Sequence, residues 1–500
     1  MAARRALKLA LETGFAFLCS EGYIVLYLNP STTTTTTKMA KTVTVQPSYE
    51  SPLLKANHSP NQKLLKCNKK NDFPEDLFVK LPDEILVSIV SLLTLKEAAR
   101  TSVLSRRWRY LWTFTTGSLD FDDSLLLWLM EYRKVIKSYS EESDRFVRWV
   151  NEVLKLHRGP TIDEFKVCFS VNEKHFKLDI ENWIRFSLRK KVKRLVLDLA
   201  HTRESIRVIR QYTLTDQFLR SYHLDSLTTL CLNSVQVTGE ALEYVLSNCP
   251  FLEVLHVEAT ESLVNLKPSG PLLKLKHLEI IHCFKLENFE ISALNLVSFK
   301  YYGHVARIIL GDVPNIVEAS YSLAYACSLV SNCSQIPSYL FQVETLSLDL
   351  SLRLFEDTPR FPIFRNLRQL TLTLVASGVE PLRCCTSVLE ASPFLHRFVV
   401  KLTYVDGPAG ELKVLKVEHP HKFLSVFELR GFLGCTIDME LALYILSNAV
   451  SLQKIIIDTR DPYAEDMFWD ERDPRLKEWG TARARELATR VPPWVELMLL

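Results

Sequence analysis

The side chains able to do chemistry are few, and they are poorly spaced for it. Cys384 and Cys385 are adjacent, but no flanking motif would make either thiol a nucleophile, so packing is their expected role. His419 and His421 flank Pro420 with no further ligand type nearby in sequence, and they read as loop histidines rather than a metal site. The run Arg189, Lys190, Lys191, Lys193, Arg194 has the composition of a nuclear-import signal or nucleic-acid patch, but it overlaps an expected strand start, where charges commonly just face water. No Gly-x-Ser-x-Gly, His-Glu-x-x-His, Walker-type loop or paired-cysteine ligase motif occurs. No catalytic residue, metal or cofactor is therefore expected, and function has to be sought in surfaces.

Composition supports the same direction. The 500 residues are 47% hydrophobic and 24% charged, ample for a large core, and the net charge of +3 gives no overall pull towards nucleic acid or an acidic membrane. Eleven cysteines without a Cys-x-x-Cys pair argue against a disulfide framework or zinc module and for a reducing compartment, nucleus or cytoplasm. Residues 6 to 28 are apolar but interrupted by Lys8, Glu12 and Glu21, so they fall short of a spanning helix. With the six threonines Thr32 to Thr37 and a second methionine at Met39, residues 1–75 are expected to be a disordered or doubtful extension.

Three short helical patterns follow. Pro82 opens the first, with Asp83 and Glu84 in its first turn, and Ile85, Leu86, Ile89, Leu92 and Leu93 form an apolar stripe. The second runs from about Lys96 to Leu104. The third is expected to start at Ser105 as N-cap and carries Trp108, Leu111 and Trp112. Helices this short expose more apolar surface than they can bury among themselves, which calls for a partner.

The stretch Leu81 to Trp112, opening Leu-Pro-Asp-Glu-Ile-Leu and closing Arg-Arg-Trp-Arg-Tyr-Leu-Trp, resembles the F-box of plant F-box proteins over the whole motif without gaps. That resemblance implies docking on a Skp1-type adaptor, and through it on a cullin and a ring-type ligase subunit. The residues it implies for adaptor binding are Leu81, Pro82, Ile85, Leu86, Ile89, Leu93, Trp108, Leu111 and Trp112.

Beyond it, Phe146, Val147, Val150, Val153 and Leu154 mark one helix, and Ile180, Trp183, Ile184 and Leu188 a second. Then a triplet recurs, apolar, two residues, apolar, one residue, apolar. Its eleven copies begin at Val192, Leu227, Leu252, Leu275, Leu296, Ile316, Val343, Leu367, Leu395, Leu424 and Leu452, 20 to 35 residues apart. The copy at Ile316-Ala319-Tyr321 is the weakest. A six-residue step from helix to strand also repeats, Leu246 to Leu252, Leu389 to Leu395 and Leu446 to Leu452. This is the pattern of leucine-rich repeats, each giving a strand to a continuous core with a helix or irregular segment outside. The segment His419 to Asp461 resembles the C-terminal region of plant F-box proteins with leucine-rich repeats and an FBD-type end.

The expected architecture is an α/β chain, a short three-helix F-box followed by a curved leucine-rich-repeat solenoid. Its bounds are an F-box over 76–120, a helical linker with a first repeat-like segment over 121–190, repeats over 191–415 and a C-terminal FBD-like region over 416–495. The resemblance implies a non-catalytic substrate-recognition subunit of a ubiquitin ligase; the alternative is a scaffold, or a ligand-dependent receptor using the repeat bowl. A target is expected on the strand face, at His256, His277, Glu279, Lys300, Gln369, Arg397, Glu428 and Lys454. These residues mix signs and identify no target. Neither a nucleic-acid nor a membrane partner is expected.

Overall fold

The computed structural model describes residues 81–124, 139–170, 173–200, 211–268, 274–331, 336–350, 361–375, 380–404, 420–462 and 474–500, and the backbone of 15–20 and 23–28. His419 and most of the expected extension 1–75 lie outside these residues. The chain divides into two compact units, Met1–Asp120 with Glu152–Glu164, and Phe121–Asn151 with Phe165–Leu500.

In the smaller unit, β1 (Phe15–Ser20) and β2 (Tyr23–Leu28) form an antiparallel pair within the stretch expected to lack structure. Helix α1 (Asp83–Val90) opens behind Pro82 as anticipated, and it buries Leu86 and Val90. Helix α2 (Leu95–Arg100) starts on a capping box in which the Thr94 hydroxyl accepts from the Glu97 amide at 3.3 Å while the Glu97 carboxylate accepts from the Thr94 amide at 3.0 Å. It ends earlier than the sequence suggests, giving way to a tighter turn over Thr101–Val103. The third segment is a 3₁₀ stretch, Trp108–Phe114, preceded by Arg107 rather than capped by Ser105. Arg107 replaces that cap with a long-range tie, its Nε donating to Asp83 at 2.7 Å and an Nη to the Leu81 carbonyl.

The larger unit is built on a sheet of fourteen strands among the described residues. From β5 (Arg194–Asp198) its strands run in parallel: β7 (Thr229–Asn233), β9 (Val254–Glu258), β11 (His277–Ile281), β13 (Ser298–Tyr302), β15 (Glu318–Ser322), β16 (Thr345–Asp349), β17 (Gln369–Val375), β18 (Arg397–Thr403), β19 (Val426–Arg430), β20 (Lys454–Asp458) and β21 (Glu496–Leu499). The second and third members of all eleven triplets fall on strands. Register aligns their middle residues into one ladder, Leu195, Leu230, Leu255, Leu278, Phe299, Ala319, Leu346, Leu370, Phe398, Phe427 and Ile455, with Leu497 of β21 extending it. The first eleven are buried, and burial of each leucine, isoleucine or phenylalanine among them contributes about 1.5–3 kcal/mol before chain entropy is counted. Ala319 fits because aromatics fill its surroundings: Phe299 lies edge-on to Tyr321 at 6.0 Å and stacks on Phe289 at 5.7 Å.

The recurring six-residue step is one turn used repeatedly. The Leu252, Leu395 and Leu452 amides donate to the carbonyls of Cys249, Ser392 and Ala449 at 3.1, 3.2 and 3.2 Å. On the outer side, α6 (Gly239–Asn248), α8 (Glu380–Glu390) and α9 (Thr436–Asn448) cover strands as expected. Elsewhere the covering is itself a sheet: β10 (Asn265–Leu266), β12 (Asn288–Ser292) and β14 (Arg307–Gly311) pair in parallel.

The segment 121–190, expected as a helical linker with a first repeat-like segment, holds helices and a strand. Besides α3 (Tyr139–Leu156) and α4 (Glu173–Arg189), it contributes β4 (Glu164–Cys168) to the fourteen-stranded sheet, which also takes in β3 (Ser118–Asp122). The short apolar run Phe165, Val167 is too brief to distinguish from loop by periodicity. Within the larger unit Phe146 stacks on Phe169 at 4.3 Å, and Trp183 Nε1 donates to Asn151 at 2.8 Å. No helix among the described residues is long and apolar enough to cross a membrane.

Near the C-terminal end, the loop into α9 closes on one carboxylate. Asp438 accepts from the amides of Leu433 and Gly434 at 2.8 Å each, of Met439 at 3.0 Å, and from the Tyr404 hydroxyl at 2.8 Å. Gly434 sits at φ +72, and a Cβ there would stand 2.0 Å from the Arg483 Cβ, so only glycine fits.

Candidate functional site

Two surfaces stand out, one in each unit. In the smaller unit the expected adaptor-binding residues sort by depth. Leu86 and Leu111 are buried and hold the module together with Val90, Leu95 and Ala98. Leu81, Ile89, Leu93, Trp108 and Trp112 are half-buried, Pro82 is exposed and Ile85 is 40% exposed.

The largest apolar exposure lies on residues outside that set, Val103 at 81%, Leu104 at 65% and Tyr110 at 60%. Because α2 stops at Arg100, the turn after it swings Val103 and Leu104 off the helical stripe and out to solvent. Two adjacent large aliphatics just before Ser105-Arg106-Arg107 were the available signal, since both cannot face inward from one turn. The Arg107 tie to Asp83 and Leu81 holds the third segment against the start of α1. An apolar patch on a fixed scaffold has the form of a protein-docking surface.

In the larger unit the outward side chains of the strands make the second surface. His256, Glu279 and Lys300 stand side by side in register on β9, β11 and β13. His256 Nδ1 lies 2.7 Å from Glu279, its Nε2 3.3 Å from Glu258, and Lys300 Nζ 2.8 Å from Glu279. His282 joins through Glu258 at 3.3 Å. Burial pulls the His256 imidazole down, but its hydrogen bonds to Glu258 and Glu279 outweigh that and raise it to about 9. Glu279 is held at about 2 by His256 against burial, with help from Lys300; Glu258, despite burial, is held at about 2 by His256 and His282. The cluster is charged and mutually satisfied at neutral pH.

Arg397 and Glu428 meet across β18 and β19, and Arg430 Nε donates to the same carboxylate at 2.6 Å. Lys454 Nζ lies 2.8 Å from Glu496. His277 and Gln369 stand on the same face but join neither cluster, and Gln369 neighbours Arg397 in register. Glu258, His282 and Arg430 were not anticipated. Glu258 and Arg430 occupy the last strand position, two residues beyond an outward one, so period-two alternation carries the signal for them.

None of this resembles a nucleophile with its base. Burial pushes the Cys385 thiol well up, which suits packing. His421 is held low by burial and lies 3.0 Å from the Tyr444 hydroxyl. The basic run is mostly exposed where α4 turns into β5. No group of metal-ligating side chains occurs among the described residues.

Comparison with known proteins adds the following. The F-box domain profile matches residues 78–114, and the profile described as the At1g61320/AtMIF1 LRR domain matches residues 153–475. The Arabidopsis thaliana "Putative F-box/LRR-repeat protein At3g58880" is 35% identical over 438 residues, covering 77% of this chain and 92% of the relative. "FBD-associated F-box protein At4g10400", also from Arabidopsis thaliana, is 26% identical over 411 residues, 76% of this chain and 92% of its own length. "F-box/FBD/LRR-repeat protein At1g13570" of the same plant is 29% identical over 265 residues, 50% and 54% of the two chains.

Proposed function

The chain belongs to the plant F-box and leucine-rich-repeat family, and from that premise we propose that it is the target-recruiting subunit of a Skp1–cullin–F-box ubiquitin ligase. The observation that carries this reading is the apolar exposure of Val103, Leu104, Tyr110 and Ile85 on the F-box. Burying Val103 and Leu104 against an adaptor is worth about 1.5–3 kcal/mol each before the cost of association, so they contribute to a contact that other residues must complete.

In this reading the F-box binds a Skp1-type adaptor, which links to a cullin and a ring-type subunit, in the nucleus or cytoplasm. The strand face holds the target, with His277, Gln369 and the exposed parts of His256, Glu279, Lys300, Arg397 and Lys454 as contacts. Glu428 acts there as the buried carboxylate that orients Arg397 and Arg430. The chain contributes proximity: tethering a target near a ubiquitin-charged enzyme raises the effective concentration of the reacting groups, and the covalent chemistry belongs to other subunits.

The test is capture of a purified plant Skp1-type adaptor by the full chain, beside a Val103→Asp, Leu104→Asp variant of unchanged thermal stability. Burying two carboxylates in place of two aliphatics should weaken capture by roughly a hundredfold or more. Equal capture by both chains, or no capture by the parent, would remove the basis of the reading. Where capture is intact, reconstituted ubiquitin transfer to a bound target separates a ligase subunit from a scaffold.

A further inference from the structure

The fourteen-stranded sheet has β21 at one edge. The Glu496 and Leu500 amides donate to the Gln453 and Ile457 carbonyls at 2.8 and 3.0 Å, and the Thr459 amide donates to the Leu500 carbonyl at 3.2 Å. Alternation therefore turns the amides and carbonyls of Leu497 and Leu499 away from β20, to the side where β21 has no neighbouring strand among the described residues.

Folded chains commonly blunt such an edge with charge. β3, at the other edge of the sheet, carries Asp120 and Asp122. β21 instead runs Leu497, Met498, Leu499 after Glu496, whose carboxylate meets Lys454 at 2.8 Å. The core rows also stop uncovered here. Leu497 and Leu499 align with Ile455 and Ile457, both fully buried, yet Leu497 is only half-buried and Leu499 is 41% exposed. Met498, beside Ile456 on the strand face, and Leu500 are exposed, and Trp494 just before the strand is 77% exposed.

We propose that β21 is the interface of a homodimer, in which the same strand of a second copy pairs with it antiparallel about Met498 and joins the two sheets edge to edge. In that register Leu497 of each copy and Leu499 of the other exchange both N–H···O=C bonds, so the outward groups of one edge are met by those of its mate. Leucine then lies beside leucine on the core side, each copy supplying the neighbour that the other's last core row lacks. Trp494 comes within diagonal reach of Leu500 of the second copy. A largely exposed tryptophan offers on the order of 150 Å². With Leu497, Met498, Leu499, Leu500 and the strand backbone, each copy brings several hundred Å², approaching the roughly 800 Å² per partner of a standard interface. The contact is isologous, so it closes at two copies. It goes beyond the ligase reading, because it lies within the repeat unit and requires no adaptor.

The test is sedimentation equilibrium of the full chain over about 1–100 µM, beside Met498→Lys and Met498→Glu variants of unchanged thermal stability. Met498 faces its own counterpart across the two-fold axis. The parent should therefore dimerise, each variant alone should dissociate about tenfold more readily or worse through like charges directly opposite, and an equimolar mixture of the two should recover the dimer. If a charged variant does not fold, Trp494→Ala takes its place and should weaken the dimer by about tenfold. A parent that stays monomeric throughout, a dimer that these variants leave intact, or a Lys and Glu mixture that fails to recover it overturns the proposal. Assemblies larger than two copies also overturn it, since they would make the edge an open-ended aggregation site.

Discussion

His256 and Glu279 face each other across adjacent parallel strands with Nδ1 2.7 Å from the carboxylate, and Glu258 takes the other ring nitrogen at 3.3 Å. The imidazolium is thereby a fixed positive charge of the strand face at neutral pH, not a switch near it.

That pairing sets a pH dependence. With the imidazole raised from 6.5 to about 9, its contribution to stability is complete below 6.5 and lost as pH rises through about 9. With Glu258 and Glu279 lowered from 4.5 to about 2, theirs is complete above 4.5 and lost as pH falls through about 2. In denaturant unfolding of the parent this cluster should therefore add no slope between pH 4.5 and 6.5, and a decline of about 1–2 kcal/mol from there towards pH 9.5 after discounting for solvent screening. His256→Gln should abolish that alkaline decline. An identical decline in the variant would show that the cluster does not couple to folding.

On the F-box, depth separates stability from binding. Leu86 is fully buried, so Leu86→Ala should cost the module about 2–5 kcal/mol through the cavity it leaves. Val103 is 81% exposed, so Val103→Ala should change stability by less than about 0.5 kcal/mol while weakening adaptor capture. Thermal unfolding and adaptor titration on both variants check the division; a Val103→Ala chain that unfolds early would place that residue in the core instead.

The repeat core was legible because its signal is redundant: eleven triplets each state the same alternation, and even the poor copy at Ala319 falls on a strand. The F-box surface was less legible for a physical reason. Periodicity put Ile85, Leu86, Ile89, Leu92 and Leu93 on one stripe, of which only Leu86 is buried, and passed over the buried Val90; a docking surface consists of apolar residues off the buried stripe, such as Val103 and Leu104 after α2 unwinds. β4, β12 and β14 escaped notice because, although as long as most repeat strands, they carry no recurring triplet, and β10 has only two residues. The ion clusters depend on which outward residues share a register, and single-strand patterns carry no information on neighbouring strands.

Asp438 gives a third test. Burial raises its carboxyl to about 6 against the pull of Tyr404 and three backbone amides, so the charged form is tolerated rather than favoured. Since the folded value lies above the unfolded 3.8, this group lowers stability as pH climbs from about 4 to 6. Its removal is worse, because four donors would then lose their acceptor. Asp438→Ala should destabilise the C-terminal repeats by about 2–4 kcal/mol, and hydrogen exchange should locate the loss at Leu433, Gly434 and Met439. Unchanged protection at those amides would contradict the assigned role.

The ladder itself makes the last prediction, because its members are not interchangeable. Leu370 lies between Leu346 and Phe398 with no exposure, so Leu370→Ala should cost about 2–5 kcal/mol. Ala319 occupies the equivalent place between Phe299 and Leu346, where the neighbouring aromatic rings already take up the volume. Ala319→Leu therefore restores the repeat consensus but overfills the site, and should destabilise by about 1–3 kcal/mol instead of stabilising. Pairing it with Phe299→Leu should recover part of that loss, since the two positions are direct neighbours and their effects will not add. Denaturant unfolding of the single and double variants measures the coupling; strictly additive losses would mean that the aromatics do not compensate for the small residue.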